Sequence, residues 1–177
     1  MTLKSIFRKL LIGASALSIL LIMLFWWVFF AENTQFETEK KSIYIPTNTD
    51  YKELQVLLKP YIKNRVTFDW AACAKKYHLN PKAGHYILES GMGNQRLINT
   101  LRSQNREIEL VFNNQQTLPE LAGRVAQQIE ADSVSLLKAF VSKGFLDQQQ
   151  LTKEQVLSLF IPNTYSMYWN TDATTLA

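Results

Sequence analysis

A run of 22 residues without a charged side chain, Leu10–Ala31, constrains this chain more than any other feature of its sequence. Since a helix rises about 1.5 Å per residue, a helix of this length crosses a hydrocarbon layer of roughly 30 Å. Three cations precede the run within residues 1–9, and three glutamates follow it within residues 32–39. The positive-inside rule therefore predicts a cytoplasmic tail over 1–9, a transmembrane helix over 10–31 and export of the remainder.

A cleaved signal peptide is the alternative to an anchor, because Ala14-Ser15-Ala16 has the small side chains of a cleavage site. Only Leu10–Gly13 precede it as an apolar run, and the longer apolar run follows it. That order is the reverse of the one that cleavage requires. We therefore expect a single-pass protein of the cytoplasmic (inner) membrane, with its N-terminus inside and its C-terminal domain outside, in the periplasm.

The charge balance beyond the membrane span argues against a nucleic-acid partner. The sequence pI is about 9.1 and the formal net charge is +4, but three of the nineteen Lys and Arg residues lie in the predicted tail. The other sixteen are matched by fifteen Asp and Glu, so the exported part is nearly neutral. Nucleic-acid binding requires a basic patch or stripe, and the sequence contains none.

Cysteine and histidine are too few for a metal or cofactor site. Cys73 is the only cysteine, which excludes an intrachain disulfide, and its alanine neighbours predict a small buried thiol. His78 and His85 are seven residues apart, with no carboxylate or thiolate at ligand spacing. We therefore predict no metal ion, no cofactor and no Cys/His catalytic pair.

The rest of the chain mixes helix and strand patterns, which predicts an α+β fold behind a polar linker over 32–41. Apolar residues recur at helical spacing after Asp50 and alternate at a period of two over 107–112. The capping box Thr117-Leu-Pro-Glu120 predicts a helix to Glu130. The other predicted elements are an extended piece at 42–46, a helix after Asn64, a strand at 84–88, a helix with Leu97, Ile98 and Leu101 on one face, a helix from Asp132 that ends near Gly144, and a short helix from Thr152 to Phe160.

The segment 160–172 combines aromatic rings with Asn and Thr side chains, in Phe160-Ile-Pro-Asn-Thr-Tyr-Ser-Met-Tyr-Trp-Asn-Thr-Asp172. Aromatic faces cover the apolar side of a sugar ring, while amides and hydroxyls bond its OH groups. The segment is therefore a candidate glycan contact. A structural turn is the alternative, since Pro162 fixes φ and Asn and Thr make local backbone hydrogen bonds.

Three segments in order, behind an apolar anchor, resemble the N-terminal half of the endolytic murein transglycosylases, the MltG or YceG-like family. They are Ala83–Arg102 with its Glu-Ser-Gly-Met-Gly-Asn-Gln-Arg run, then Val111–Ala122, then Phe160–Tyr165 continued by Tyr168–Thr171. The resemblance covers nearly the whole chain and is specific as a set.

The resemblance implies a LysM-like βααβ module, expected over 42–112, and the start of a mixed α/β catalytic domain over 113–177, incomplete at its C-terminus. It implies a membrane-anchored lyase that cleaves nascent glycan strands of peptidoglycan without a cofactor and leaves 1,6-anhydro-N-acetylmuramic acid ends. It also implies peptidoglycan glycan strands and the inner membrane as partners, with cell-wall synthases as further candidates.

The catalytic residue of the family is a glutamate in a Glu-Lys-Glu type motif, tens of residues after the Pro-Asn-Thr-Tyr segment. No Glu of this sequence matches that motif, so the resemblance places the acid beyond Ala177 and implies that these 177 residues alone are inactive. Ser166 stands where relatives often have an acidic residue. The residues carried over by position, as glycan-binding or cleft-shaping, are Asn163, Thr164, Tyr165, Tyr168 and Trp169.

A non-catalytic function is the alternative hypothesis: a membrane-tethered LysM-like module that binds peptidoglycan or acts as a scaffold. Its glycan contacts would come from residues after Tyr44 or from the turn at Ser90–Asn94. These turns would also be explained if they merely join a strand to a helix. A natural sequence that continues into a Glu-bearing motif would favour the enzyme.

Overall fold

The computed structural model describes residues 3–177, without the side chains of residues 3–6 and 8. Its first helix, α1, runs from Leu3 to Phe30, and the stretch Lys9–Phe30 is long and apolar enough to span a membrane. The predicted span over 10–31 thus lies in one helix except for its last residue. Residues 1 and 2 of the predicted tail fall outside the described part of the chain.

Seven further helices, four strands and two 3₁₀ turns follow within the described residues, which confirms the mixed α+β class. The strands are β1 (Lys40–Ile45), β2 (Gly84–Glu89), β3 (Glu107–Phe112) and β4 (Asn163–Tyr168), and the helices are α2 (Tyr51–Leu58), α3 (Arg65–Ala74), α4 (Asn94–Ser103), α5 (Leu118–Ala126), α6 (Ser133–Phe140), α7 (Lys143–Gln149) and α8 (Ala173–Leu176). The 3₁₀ turns are Tyr77–Leu79 and Val156–Leu159.

Two two-stranded sheets organise these elements. β1 pairs with β2, and β3 pairs with β4 in an antiparallel register that sets Leu110 opposite Tyr165. Backbone contacts divide the chain into two compact units. Unit 1 comprises the chain through Lys41, Asp50–Pro81 and Leu88–Arg102, and unit 2 comprises Ser42–Thr49, Lys82–Ile87 and Ser103–Ala177. β3 therefore groups with the C-terminal part of the chain.

Unit 1 buries the apolar stripes of its short helices. Leu54 and Leu58 of α2, Phe68 of α3 and Leu97 and Leu101 of α4 are inaccessible to solvent. The helix starts follow from local chemistry, because Asp50 makes a capping box with Glu53 and Asn64 accepts a hydrogen bond from the Thr67 N–H. The predicted helix positions of this region are confirmed.

Unit 2 packs its helices against the inner face of the β3–β4 sheet. Its core contains Leu110 and Phe112 from β3, together with buried residues from α5, α6 and the segments after them: Leu121, Ala122, Val125, Ile129, Leu136, Phe140 and Val156. Asp132 accepts hydrogen bonds from the Val134 and Ser135 N–H groups, as its capping role predicts.

Three expectations are wrong. Gly144 does not end a helix, because Ser142 caps a new one and Gly144 lies inside α7. Cys73 is exposed rather than buried, since it lies on the outer side of α3. The Asn163–Tyr168 segment is not a turn, because β3 offers it a partner for six consecutive residues.

Candidate functional site

The five residues predicted as glycan-binding or cleft-shaping are separated by the alternation of β4. Successive side chains of a strand point to opposite faces. Tyr165 lies opposite Leu110 on the core-facing side of the sheet, whereas Thr164 and Tyr168 lie on the other side, opposite Val111 and Glu107. Asn163 shares the parity of Tyr165, and Trp169 follows the strand in a turn.

Both the ring and the hydroxyl of Tyr165 make contacts within the chain. Its ring stacks on Phe112 with the centroids 5.5 Å apart, and its hydroxyl donates a hydrogen bond to the Ile161 carbonyl at 2.6 Å. It forms one wall of a cleft of about 310 Å³. Its hydroxyl is therefore already engaged within the chain, and its predicted role in a glycan cleft stays a prediction.

The cleft itself is apolar. Its other lining side chains are Leu110, Phe112, Val125, Phe140, Phe145, Gln149, Leu159, Phe160, Met167, Leu176 and Ala177. Gln149 is the single amide in that set, and the set contains no carboxylate. A sugar ring needs several polar partners for its hydroxyls, so this cleft fits an apolar group better than a glycan.

Trp169 belongs to a different surface, which we call the Tyr44 cluster: Tyr44, His85 and Trp169. The Tyr44 ring stacks on the His85 ring at a centroid distance of 4.8 Å and an angle of 15°, and lies 5.1 Å from the Trp169 ring. Tyr44 is 45% exposed, because Ile43 and Ile45 on either side of it point inward. The cluster presents aromatic surface to solvent beside polar groups.

Amide groups flank the Tyr44 cluster. Asn105 accepts a hydrogen bond from the His85 backbone N–H at 2.8 Å and donates from its Nδ2 to Asn170 Oδ1 at 3.2 Å. The Trp169 carbonyl accepts from the Glu130 N–H at 2.9 Å, which fixes the turn that carries the indole. This places two Asn side chains close to the aromatic rings.

Glu130 binds the loop after β1 to the segment that carries Trp169. Its carboxylate accepts hydrogen bonds from the Thr47 N–H at 2.5 Å and from the Thr47 hydroxyl at 2.6 Å. The loop after β1 and the end of the α5 region are thereby held together. The Glu130 carboxylate is engaged as an acceptor and is not positioned as a free acid.

His85 is the least expected member of the cluster. It is only 9% exposed, and neither ring nitrogen has a hydrogen-bond partner among the described residues. Burial lowers the pKa of its imidazole, and the neighbouring Arg106 charge acts in the same direction. The ring is therefore neutral near pH 7 and acts as an apolar support for Tyr44 rather than as a proton donor.

No described Asp or Glu side chain is buried. Hydrogen bonds from the Ser135 backbone and hydroxyl lower the pKa of Asp132, and those from the Thr175 hydroxyl and backbone lower that of Asp172. Both are helix caps, as are Glu53 and Glu120 in their capping boxes. A general acid at neutral pH requires a raised pKa, whereas Asp132 and Asp172 have lowered ones.

Sequence reasoning did not connect Tyr44 or His85 with Trp169. The outward position of Tyr44 could have been read from the Ile43-Tyr44-Ile45 alternation, which is typical of a half-buried strand. The pairing with a residue 125 positions later could not, because it depends on how the chain packs. Among the described residues no group of His, Cys, Asp and Glu could hold a metal ion.

Comparison with known proteins gives a family for this arrangement. A crystal structure of a YceG-like protein of Listeria monocytogenes is similar at 19% identity and a TM-score of 0.42, over 79% of this chain and 52% of that chain. This chain thus spans about half the length of that protein. A comparison with curated proteins finds no match. The YceG-like family matches residues 43–177, which contain the β3–β4 sheet, the cleft and the Tyr44 cluster. The chain therefore belongs to the YceG-like family, the family that its three motifs resemble.

Proposed function

We propose that this chain is the membrane-anchored, glycan-contacting part of a lytic transglycosylase that cleaves nascent peptidoglycan strands and leaves 1,6-anhydro-N-acetylmuramic acid ends. The observation that carries the proposal is membership of the YceG-like family across residues 43–177. A helix long enough to span a membrane, at Lys9–Phe30, supports the anchor. We place the N-terminus in the cytoplasm and the residues after α1 in the periplasm, as the flanking charges favour.

The environments of the carboxylates decide which step of the reaction we assign to these 177 residues. Glycosidic cleavage needs an acid that is protonated near neutral pH and lies beside the scissile oxygen. Since the described Asp and Glu side chains are half-buried or exposed, none has the desolvated setting of such an acid. We therefore assign the general acid to a glutamate outside these 177 residues, and to these residues the anchoring and positioning of the strand.

We assign glycan contact to the Tyr44 cluster rather than to the apolar cleft. Tyr44 and Trp169 offer ring faces to the C–H side of a pyranose, and Asn105 and Asn170 offer amides to its hydroxyls. Trp169 is thus retained from the five residues that the sequence indicated. Tyr165 shapes the cleft, and Thr164 and Tyr168 lie on the outer face of β4.

The order β1-α2-α3-β2 supports a LysM-like module, because it repeats the strand-helix-helix-strand order of that module with the two strands paired. We propose that this part binds peptidoglycan. The Ser90–Asn94 turn, the other contact considered, is less suited to this role, because Met92 and Asn94 in it are buried. Wall synthases are proposed partners by family resemblance alone.

The test is digestion of purified peptidoglycan, with mass spectrometry of the products for 1,6-anhydro ends. The chain of 177 residues is compared with the longest natural protein that contains it. Anhydro products from the longer protein alone are expected. Products from the short chain would overturn our assignment of the acid, and products from neither would overturn the enzyme.

One observation favours a non-catalytic alternative, a membrane-tethered peptidoglycan-binding module. The Tyr44 and Trp169 rings, with the Asn105 and Asn170 amides that flank them, could bind glycan without any acid nearby. Binding to peptidoglycan without anhydro products from the longest natural protein would support this alternative. The digestion experiment therefore separates the two functions.

A further inference from the structure

Helix α3 carries an exposed apolar stripe. Val66 is 57% exposed and Trp70 is 54% exposed, and Cys73 is exposed one turn further along. Residues 66, 70 and 73 follow one another at spacings of four and three, so they share one side of the helix. The opposite side packs into unit 1 through Phe68 and Ala72. A large indole left in solvent on a short helix calls for a covering surface.

Helix α3 lies beside α1, and three asparagines connect the two helices. We call Asn33, Asn64 and Asn94 the amide clamp. Asn94 Nδ2 donates to the Val28 carbonyl of α1 at 2.7 Å, and Asn33 Nδ2 donates to Asn94 Oδ1 at 2.7 Å. Asn33 also donates to the Asn64 carbonyl at 2.8 Å and accepts from its N–H at 2.6 Å, and Asn64 is the N-cap of α3.

The clamp binds α1 closely to the short helices of unit 1. It bonds the Val28 carbonyl, two residues before α1 ends at Phe30, and that is only about 3 Å along the helix axis. Gly93 approaches α1 so closely that an added Cβ would lie 2.8 Å from the Phe30 carbonyl oxygen. Residues 33 and 34, expected in a linker, are buried and hydrogen-bonded to unit 1.

These contacts determine how far α3 lies from the bilayer. The headgroup region on each side of a bilayer is roughly 5–8 Å thick. A helix with its side chains is about 10 Å across, which exceeds the thickness of this layer. A helix packed at the end of a membrane span therefore contacts the headgroups. Trp26, Trp27 and Phe30 are exposed at this same end of α1, where aromatic side chains favour the membrane interface.

We propose that the Val66–Trp70–Cys73 face of α3 docks on the bilayer surface at the C-terminal end of α1, with its side chains at the boundary between headgroups and acyl chains. This inference rests on the membrane span of the proposed function. The occupant is phospholipid, because α3 lies beside α1 and the exposed Trp26, Trp27 and Phe30 mark this end of α1 as its membrane interface. Unit 1 is then held in one orientation on the membrane and does not swing on a flexible tether.

The charges around the stripe fit phospholipid. Arg65 precedes it and is paired with Asp69 at 3.6 Å, on the flank of α3. Lys75 and Lys76 follow it, and Arg102 donates a hydrogen bond to the Lys75 carbonyl at 2.5 Å. Burial and the Arg102 charge lower the pKa of Lys75, so an anionic headgroup there would relieve that repulsion.

The test uses the single native cysteine, which lies on the proposed face. The full chain, spin-labelled at Cys73, is placed in phospholipid nanodiscs, and collisions with oxygen and with a water-soluble nickel chelate are measured. We expect the Cys73 label to shift toward oxygen, as at the headgroup boundary. The shift should grow when phosphatidylglycerol is added to phosphatidylcholine, and should be lost in Val66→Ser/Trp70→Ser.

Two control labels in Cys73→Ser make the outcome decisive. A label at Glu109→Cys, on the outer face of β3, defines the aqueous value, and a label at Leu20→Cys in α1 defines the bilayer interior. A Cys73 label as aqueous as that at Glu109, with Leu20 in the bilayer, would overturn the docking alone. An aqueous label at Leu20 would overturn the membrane span of the proposed function, and the docking with it.

Discussion

The amide clamp should control the stability of unit 1, and Asn33→Ala is the substitution that tests it. Asn33 is 3% exposed and its side chain makes three hydrogen bonds, to Asn64 in two places and to Asn94. Alanine removes all three and leaves the polar partners in place. A buried polar group that loses its only partner costs more than the bond contributed.

The groups that lose Asn33 as a hydrogen-bond partner determine how much free energy of unfolding is lost. The Asn64 carbonyl keeps two donors, the Phe68 N–H at 3.3 Å and the Thr67 hydroxyl at 3.1 Å. The loss of the Asn33 amide from this carbonyl therefore costs little free energy. Asn94 Oδ1 and the Asn64 N–H lose their partner, at about 1–3 kcal/mol each. Asn33→Ala should therefore destabilise unit 1 by about 2–6 kcal/mol.

Hydrogen exchange measured by mass spectrometry reports this loss of stability at the α3 amides, without the need to unfold α1. A loss of about 2–6 kcal/mol raises the exchange of the protected α3 amides by roughly 30- to 20,000-fold. Asn80→Ala is the matched control, because Asn80 is exposed and lies in the same unit. If Asn33→Ala exchanged no faster than Asn80→Ala, the clamp would not hold unit 1 to α1, and the argument for the height of α3 would fail with it.

Three further changes test separate parts of the structure. Gly93→Ala should disrupt the junction with α1, since the new Cβ meets backbone at 2.8 Å, whereas Gly123→Ala, with no atom within 4 Å, should stabilise α5 by about 0.5–1 kcal/mol in thermal unfolding. Phe140→Ala, at a fully buried ring 4.6 Å from Phe160, should destabilise unit 2 by about 3–5 kcal/mol in urea unfolding, and an unchanged midpoint would refute the core assignment. The lowered pKa of His85 means that the folded state binds fewer protons, so stability present above about pH 6.5 should fall as the pH drops below it. His85→Phe should flatten this dependence in melts across that range, and an equal slope in both proteins would contradict it.

Local chemistry made much of the fold predictable. Thr117-Leu-Pro-Glu120 forms its capping box, and the alternation of Leu110 and Phe112 gives a strand with one buried face. Such signals lie within a few residues of one another, so tertiary contacts do not decide them. The long apolar run likewise forms one helix.

Features that depend on distant partners were not predictable. Asn163–Tyr168 follows Pro162 directly and has the Asn and Thr residues of a turn, but β3 pairs with it across more than fifty residues. Asn33 is a polar residue in a charged segment, yet Asn64 and Asn94 make its burial favourable. The Tyr44 cluster likewise depends on packing that no local pattern encodes.

Glycan contact at the Tyr44 cluster is the central assignment of the proposed function. The measurement is binding of the full chain, in nanodiscs, to soluble peptidoglycan strands. Tyr44→Ala and Trp169→Ala should each weaken binding about fivefold, or about 1 kcal/mol, because each removes one ring face. Ile161→Ala, an exposed apolar position of unit 2 outside the cluster, should leave it unchanged. Equal affinity for all three variants and the parent chain would contradict the assignment.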